Sequence, residues 1–226
     1  MNFTEHLNPK KTLELYNLKE EFAYFKNLIN SERLPKTIML TGNKGTGKFT
    51  LINHLMTSFF DKNNYDEKNN KIVKQNSFFS QNLVNLFPNI IYLEGSNFSN
   101  VKTEDVRKLK SRILQSSILN TKRFIILDDI EIFNLNSLNA LLKMIEEPSA
   151  KNYFILINNK SKKIIETIQS RCLEFKIILK EDKRKKIIES LIKYFQLEEV
   201  LNYEDLNVSP GTFIKFNYIL NINKIN

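Results

Sequence analysis

The sequence predicts an α/β fold in which a five-stranded parallel sheet lies between helix layers. Three observations support this prediction. Five short apolar runs punctuate the chain, segments with apolar residues at helical spacing separate them, and the runs lack the polar alternation of a half-exposed strand. Strands that are apolar on both faces must be covered on both faces, which is typical of a parallel sheet with crossover helices.

The predicted elements alternate until about residue 179. The strands are expected at residues 37–40, 89–93, 123–127, 153–157 and 173–179. Helical spacing predicts helices over residues 13–29, 51–59, 103–119 (with Thr103 as N-cap) and 137–145, followed by 182–195 and 211–220. Residues 61–75 are rich in Asn, Lys and Asp and indicate a loop or a weak helix. We therefore expect a core over residues 1–179 and a small helical domain over residues 180–226.

Composition sets the broad class. The 226 residues carry 34 basic and 25 acidic side chains, a formal charge of +9. This charge suits nucleic acid or an acidic partner, and it suits equally the solvated surface of a lysine-rich protein. Cys172 is the one cysteine, so neither an intrachain disulfide nor a four-cysteine zinc site can form. The N-terminus has no apolar signal core, and no apolar run approaches the ~20 residues that span a bilayer, so we expect a soluble, cytoplasmic protein without membrane contact.

A glycine-rich loop follows the first predicted strand and opens a helix. Its residues are Gly42, Asn43, Lys44, Gly45, Thr46, Gly47 and Lys48. This spacing and context predict a phosphate-binding P-loop, in which backbone N–H groups converge on phosphate oxygens and Lys48 reaches the outer phosphates. The alternative is a glycine-rich turn that happens to precede a helix.

The residue after Lys48 departs from the P-loop pattern. The motif places Ser or Thr there to ligate magnesium, whereas this chain has Phe49, which offers no oxygen. Thr50 comes one position late, and one helical step turns its side chain by roughly 100°. Because phosphoryl transfer depends on the metal, this position predicts poor hydrolysis even where nucleotide binds.

An acidic pair, Asp128 and Asp129, closes the third predicted strand. P-loop ATPases place a magnesium-associated acid at this point. The alternative is a solvated or helix-capping pair, and Phe49 adds weight to that alternative.

Two further motifs lie in the second half of the chain. Residues 139–148 read Asn-Ala-Leu-Leu-Lys-Met-Ile-Glu-Glu-Pro, and the second motif is Ser170-Arg171-Cys172. The first is close to the Asn-Ala-Leu-Leu-Lys-x-Leu-Glu-Glu-Pro signature of bacterial DNA polymerase III clamp-loader subunits, and the second is similar to the Ser-Arg-Cys motif of that family. The segments 32–35 and 101–109 also resemble the family, so the resemblance extends from about Leu15 to Ile178. It implies a P-loop AAA+ domain followed by a small helical lid.

The resemblance implies roles for individual residues. Arg171 would act as an arginine finger on the ATP of a neighbouring subunit, although an arginine in this place can also be a simple salt-bridge partner. Asn158 would be a polar nucleotide sensor or a solvated loop residue. AAA+ proteins often have a glutamate where Asp129 stands, and the lid arginine of active members is replaced by Thr212, with Lys215 three residues later. The family's C-terminal collar has no room after Asn226, which fits a fragment or a natural truncation.

Within the family, two features favour the delta prime type over the gamma/tau type. Phe49 breaks the P-loop pattern, and the cysteines of the gamma/tau zinc module are missing. The resemblance then implies a largely non-catalytic subunit, with ATP binding that depends weakly on magnesium and no zinc. Its partners would be clamp-loader ATPase and delta-type subunits, the sliding clamp and primer-template DNA. The alternatives are an active gamma/tau-like ATPase using Lys48, Asp128 and Asp129, and a P-loop DNA-binding module of another AAA+ group.

Overall fold

The computed structural model describes residues 8–73, 77–95, 103–114, 119 and 121–224. Contacts divide the chain into two compact units. The sheet unit comprises residues 28–42 and 75–176, and the helical unit comprises residues 1–27, 43–74 and 177–226. The division falls within the glycine-rich loop, between Gly42 and Asn43.

The sheet unit is built on five parallel strands in the order β4-β5-β6-β1-β7. These strands are β1 (Thr37–Thr41), β4 (Ile90–Glu94), β5 (Arg123–Asp128), β6 (Asn152–Asn158) and β7 (Leu173–Lys176). All four pairings are parallel, with Thr37 opposite Phe154 and Ile90 opposite Phe124. Every residue of β1, β5 and β6 is buried, which explains their nearly continuous apolar sequence. The predicted α/β class is therefore confirmed.

Eight α-helices lie in the described ranges. They are α1 (Lys19–Asn30), α2 (Lys48–Phe60), α3 (Ser77–Leu83), α4 (Thr103–Leu114), α5 (Leu135–Glu146), α6 (Glu166–Gln169), α7 (Glu181–Phe195) and α8 (Pro210–Lys224). Two short strands, β2 (Tyr65–Asp66) and β3 (Lys71–Ile72), pair antiparallel in the helical unit. None of the helices within these ranges is long and apolar enough to cross a membrane.

Local sequence explains how α5 presents its apolar face. Asn134 caps its N-terminus by accepting a hydrogen bond from the Ser137 N–H at 2.8 Å. Leu138, Leu141 and Ile145 recur at helical spacing and are buried in the core of the sheet unit. The helix ends at Glu146, two residues before Pro148, as the sequence predicts.

Buried polar side chains tie the helical unit together. His54 of α2 contacts the Tyr65 hydroxyl through Nδ1 at 3.0 Å and the Thr12 carbonyl through Nε2 at 3.3 Å. A carbonyl can only accept, so Nε2 donates and Nδ1 accepts from Tyr65. Burial lowers the pKa of His54 to about 4, so the ring is neutral at physiological pH. His54 thus connects three segments of the unit.

Several sequence predictions of element boundaries were wrong for tertiary reasons. Residues 13–18 are not helical, because Ile72 N–H donates to the Leu13 carbonyl and Leu15 N–H donates to the Asn70 carbonyl, while Asn17 has a positive φ. The polar stretch 61–75 contains the β2–β3 pair rather than only a loop or weak helix. Strand β7 ends at Lys176. Helix α4 covers Thr103–Leu114, and residues 115–118 of the predicted helix lie outside the described residues.

Candidate nucleotide site and surface arginine

The glycine-rich loop has the backbone conformation that its glycines predict. Gly45 and Gly47 adopt φ values of +87° and +91°, in the left-handed region that favours glycine. Gly47 is the N-cap of α2, so the loop leads directly into a helix N-terminus. Thr46 N–H and Thr46 Oγ1 both donate to the Asn43 carbonyl, at 3.3 and 3.0 Å, and close a tight turn.

Lys48 lies inside this turn. Its Nζ donates to the Asn43 carbonyl at 2.8 Å and to Thr46 Oγ1 at 3.4 Å, and the residue is buried. A buried ammonium surrounded by a glycine-rich turn at a helix N-terminus is the donor set that phosphates require. The residues present therefore fit a nucleotide phosphate, with Lys48 and the loop N–H groups as the groups that would hold it.

The same residues fit a magnesium ion poorly. Phe49 occupies the first turn of α2 directly after Lys48, and the Lys10 ammonium lies 5.9 Å from its ring centroid. The Phe49 ring can attract a cation such as the Lys10 ammonium through its π face, but it provides no oxygen ligand for a metal ion. Among the described residues, no group of three or more His, Cys, Asp or Glu side chains could hold a metal ion.

In the sheet unit, the acid pair at the end of β5 forms a hydrogen-bonded cluster. Asn159 Nδ2 donates to Asp128 Oδ1 at 3.2 Å and to Asp129 Oδ1 at 2.7 Å. The Tyr92 hydroxyl donates to Asp128 Oδ2 at 3.2 Å, and the Asp129 N–H donates to Asp128 Oδ1 at 2.8 Å. Both carboxylates are buried, so the pair is neither solvated nor exposed.

Burial shapes the chemistry of this cluster. Burial, and secondarily the neighbouring charge of Asp129, raises the pKa of Asp128 to about 6. Asp129 itself adopts a left-handed backbone with φ +52°, an uncommon conformation for a residue with a Cβ. Gly95 packs closely against the Asp129 backbone, because a Cβ on Gly95 would lie 2.8 Å from the Asp129 carbonyl oxygen. The strand end is therefore a sterically constrained acidic site.

Glu131 fixes the loop that carries Asn159. Its carboxylate accepts from Asn159 N–H at 3.1 Å and from the N–H and hydroxyl of Ser161, at 3.2 and 2.8 Å. Glu131 is buried. The predicted sensor is Asn158. Its side-chain Oδ1 accepts from the Lys160 N–H at 2.9 Å, and its backbone carbonyl accepts from the Gly42 N–H at 3.1 Å. The side chain that contacts the acid pair is thus that of Asn159.

Arg171 lies at the surface of the sheet unit just before β7. Its side chain is 37% exposed. Nε donates to Glu146 Oε1, at the C-terminal end of α5, and Nη1 donates to the Thr167 carbonyl at 2.9 Å and to Ser170 Oγ at 3.3 Å. Glu146 belongs to the motif of residues 139–148 and Arg171 to the Ser-Arg-Cys motif. The hydrogen bond between their side chains therefore connects the two motifs. Adjacent Cys172 is partly buried, and burial raises the pKa of its thiol to about 12.

The structure places the predicted site residues in two groups. Asn43, Lys44, Gly45, Thr46, Gly47, Lys48, Phe49 and Thr50 belong to the helical unit, and Gly42, Asp128, Asp129, Asn158 and Arg171 belong to the sheet unit. The sequence analysis missed Tyr92, Glu131, Asn159 and Glu146. The polar pair Asn158–Asn159 after an apolar strand was the available signal, but strand periodicity alone does not tell which of two consecutive residues turns toward the acids.

The five-stranded parallel sheet with its flanking helices is an α/β fold of the P-loop AAA+-like type. A DNA polymerase III gamma subunit-related protein of Thermotoga maritima has the same fold, with a TM-score of 0.51 and 16% identity over 86% of this chain and 69% of that chain. The family described as DNA polymerase III, delta subunit, matches residues 18–181, and the chain belongs to this family.

Individual relatives include two kinds of subunit. The chain is 26% identical over 201 residues to DNA polymerase III subunit gamma of Buchnera aphidicola subsp. Acyrthosiphon pisum, covering 88% of this chain and 53% of that protein. It is 26% identical over 146 residues to subunit delta' of Bacillus subtilis, covering 65% of this chain and 43% of that protein. The chain spans about half the length of these curated relatives.

Proposed function

We propose that this chain is a delta prime-type clamp-loader subunit that donates Arg171 to the nucleotide site of a neighbouring ATPase subunit. It would bind ATP through its own P-loop with weak dependence on magnesium and hydrolyse it slowly or not at all. Its partners would be ATPase and delta-type subunits, and together they would load a sliding clamp onto primer-template DNA during replication.

The observation that carries this proposal is the environment of Arg171. The guanidinium donates through Nε to Glu146 and through Nη1 to the Thr167 carbonyl, while more than a third of the side chain remains exposed. A planar, permanently charged group held in this way suits the developing charge of a phosphoryl transfer supplied from another subunit. The absence of an oxygen at Phe49 supports the second half of the proposal, because the chain's own loop offers no metal ligand there.

A second candidate, an active gamma/tau-like ATPase, is favoured by the acid cluster. Asp128, Asp129 and Asn159 form the acid and polar partner that ATP hydrolysis uses, and Lys48 lies within the loop. The matched relatives include subunits gamma and tau as well as delta'. The two candidates differ in one measurable property, which is magnesium-dependent turnover by the chain itself.

The test is binding and turnover of a fluorescent ATP analogue by the purified chain, with magnesium and with EDTA. The proposal predicts similar binding in both conditions, loss of binding in Lys48→Ala, and no measurable turnover. Magnesium-dependent turnover that Lys48→Ala abolishes would refute the proposal and establish the ATPase alternative.

A further inference from the structure

The segment that enters α8 contacts the backbone of the P-loop within the helical unit. Ser209 Oγ and Thr212 Oγ1 lie 2.8 Å apart, and both are within hydrogen-bond reach of the Lys44 carbonyl, Thr212 at 3.2 Å. The Gly211 N–H donates to the Gly45 carbonyl at 2.9 Å. Two consecutive loop carbonyls are therefore bound by one turn of another segment.

The contact is close enough to require glycine on both sides. A Cβ on Gly211 would lie 2.9 Å from Gly45 Cα and 3.0 Å from its carbonyl oxygen. A Cβ on Gly45 would lie 2.6 Å from Ser209 Oγ and 2.8 Å from the Thr212 nitrogen. The two backbones are thus in direct contact, and no side chain can be inserted between them without a shift of one segment.

Binding these carbonyls orients the N–H groups that a P-loop uses. In a trans peptide, the carbonyl of one residue and the N–H of the next point in opposite directions. The bonds to the Lys44 carbonyl therefore turn the Gly45 N–H away from α8, while the Thr46 N–H donates to the Asn43 carbonyl within the loop. Such N–H groups are the donors with which a glycine-rich loop holds phosphates.

A buried arginine holds the segment that presents Ser209. Arg184 of α7 donates through Nη2 to the Tyr203 carbonyl at 2.8 Å and through Nη1 to the Leu206 carbonyl at 3.0 Å and the Val208 carbonyl at 3.4 Å. Its side chain is only 7% exposed and also pairs with Glu181. Because these three carbonyls belong to the six residues before Ser209, Arg184 holds the segment that presents the Ser209 hydroxyl.

We propose that Ser209, Gly211 and Thr212 are positioning residues that hold the P-loop in its phosphate-binding shape before nucleotide arrives. Thr212 occupies the place where the resemblance expects an arginine that reaches nucleotide, and here it acts on the loop backbone instead. Order in the loop then comes from the segment entering α8 rather than from a magnesium ligand, which Phe49 cannot supply. This inference rests on the proposed nucleotide site.

The first test is the affinity of the full chain for a fluorescent ATP analogue in EDTA. Ser209→Ala should weaken binding three- to tenfold, and Gly211→Ala more than tenfold. Thr212→Val should weaken binding about two- to threefold, whereas Thr212→Ser keeps the hydroxyl and should bind as the wild type does. Ser190→Ala is the matched control, because its hydroxyl donates only to the Lys186 carbonyl of its own helix.

Hydrogen exchange separates positioning from general stability. Without nucleotide, Ser209→Ala should speed exchange of the amides of residues 43–48 at least tenfold, leave the later turns of α2 unchanged, and regain protection with saturating analogue. Failure of the wild type to bind the analogue would refute the nucleotide site itself. Equal loop exchange and affinity in the wild type and Ser209→Ala, or tighter binding by Ser209→Ala, would refute the positioning role.

Discussion

The P-loop departs from the pattern of the clamp-loader family at Phe49, whereas the surroundings of Arg171 keep that pattern. In the loop, Phe49 stands where the motif has a metal ligand, and the Ser209 hydroxyl and the Gly211 N–H contact the Lys44 and Gly45 carbonyls. Around Arg171, both family signatures are present and their side chains are bonded to each other through Glu146. Under the proposed function, this difference means that the chain's own loop would bind nucleotide, whereas Arg171 would act on a neighbouring subunit.

The largest expected effect is on the arginine side. Arg171→Ala in a reconstituted loader should lower ATP turnover by the neighbouring subunits about 10³-fold, the lower end of known arginine-finger effects. Arg171→Lys should restore little of it, because an ammonium cannot make the planar two-pronged contact. Turnover in the assembled loader is the measurement, and a loss below threefold for Arg171→Ala would refute the trans role.

The acid pair of the sheet unit provides a pH-dependent test of the burial of Asp128. The pKa of Asp128 is raised from 3.8 to about 6, so its folded form binds protons more tightly than the unfolded chain does. Its contribution to stability is present below pH 4 and is lost as the pH rises through 6. Asp128→Asn should therefore match the wild type near pH 4 and exceed its unfolding free energy by about 3 kcal/mol at pH 8 without cations.

Denaturant unfolding across this pH range in EDTA measures the difference. A constant difference between the two proteins from pH 4 to pH 8 would contradict the burial account of Asp128. A wild type that is more stable than Asp128→Asn at pH 8 would contradict it more strongly, because a bound or buried counter-charge would then be needed.

A smaller effect on ATP turnover should distinguish Glu146 from the adjacent Glu147. Glu146 orients Arg171, so Glu146→Ala should lower turnover of the loader three- to tenfold by freeing the guanidinium. Glu147→Ala is the matched control, since Glu147 is exposed in the same motif and no contact with Arg171 involves it. Equal effects of the two changes would show that the pair with Arg171 has no role.

The smallest expected change is in the affinity for the ATP analogue when an oxygen is introduced at position 49. Phe49→Thr should strengthen magnesium-dependent binding of the ATP analogue about two- to fivefold, because Thr supplies the ligand that the motif expects. Phe49→Val has nearly the shape of Thr without its oxygen and should show no gain. Identical affinities for the two variants would count against the explanation of this position.

Much of the fold could be predicted from sequence because its strands are buried on both faces. The central residues of β1, β5 and β6 are apolar, and the predicted bounds of these strands agree with the structure to within one residue at each end. The β2–β3 pair could not be predicted, since two-residue strands have no periodicity and depend on Leu13 and Leu15 meeting them from elsewhere in the chain. Tertiary pairing therefore overrode the helical spacing of residues 13–18.

Only the part of the site that lies within the P-loop motif could be predicted, because the spacing of that motif determines the loop conformation. The loop glycines and Lys48 follow from the P-loop spacing, and their conformation agrees with it. The Asn159 and Glu131 contacts depend on how two loops meet at the strand ends, which no local pattern encodes. The contact between Gly45 and Gly211 joins residues far apart in sequence, so only the structure reveals why both are glycine.

We propose that this chain acts through Arg171 on a neighbour rather than through Lys48 on its own nucleotide. ATP turnover distinguishes the two when otherwise identical reconstituted loaders carry either Arg171→Ala or Lys48→Ala in this subunit. We expect the loss from Arg171→Ala to exceed the loss from Lys48→Ala at least tenfold. A larger loss from Lys48→Ala would contradict it and show that this subunit hydrolyses ATP itself.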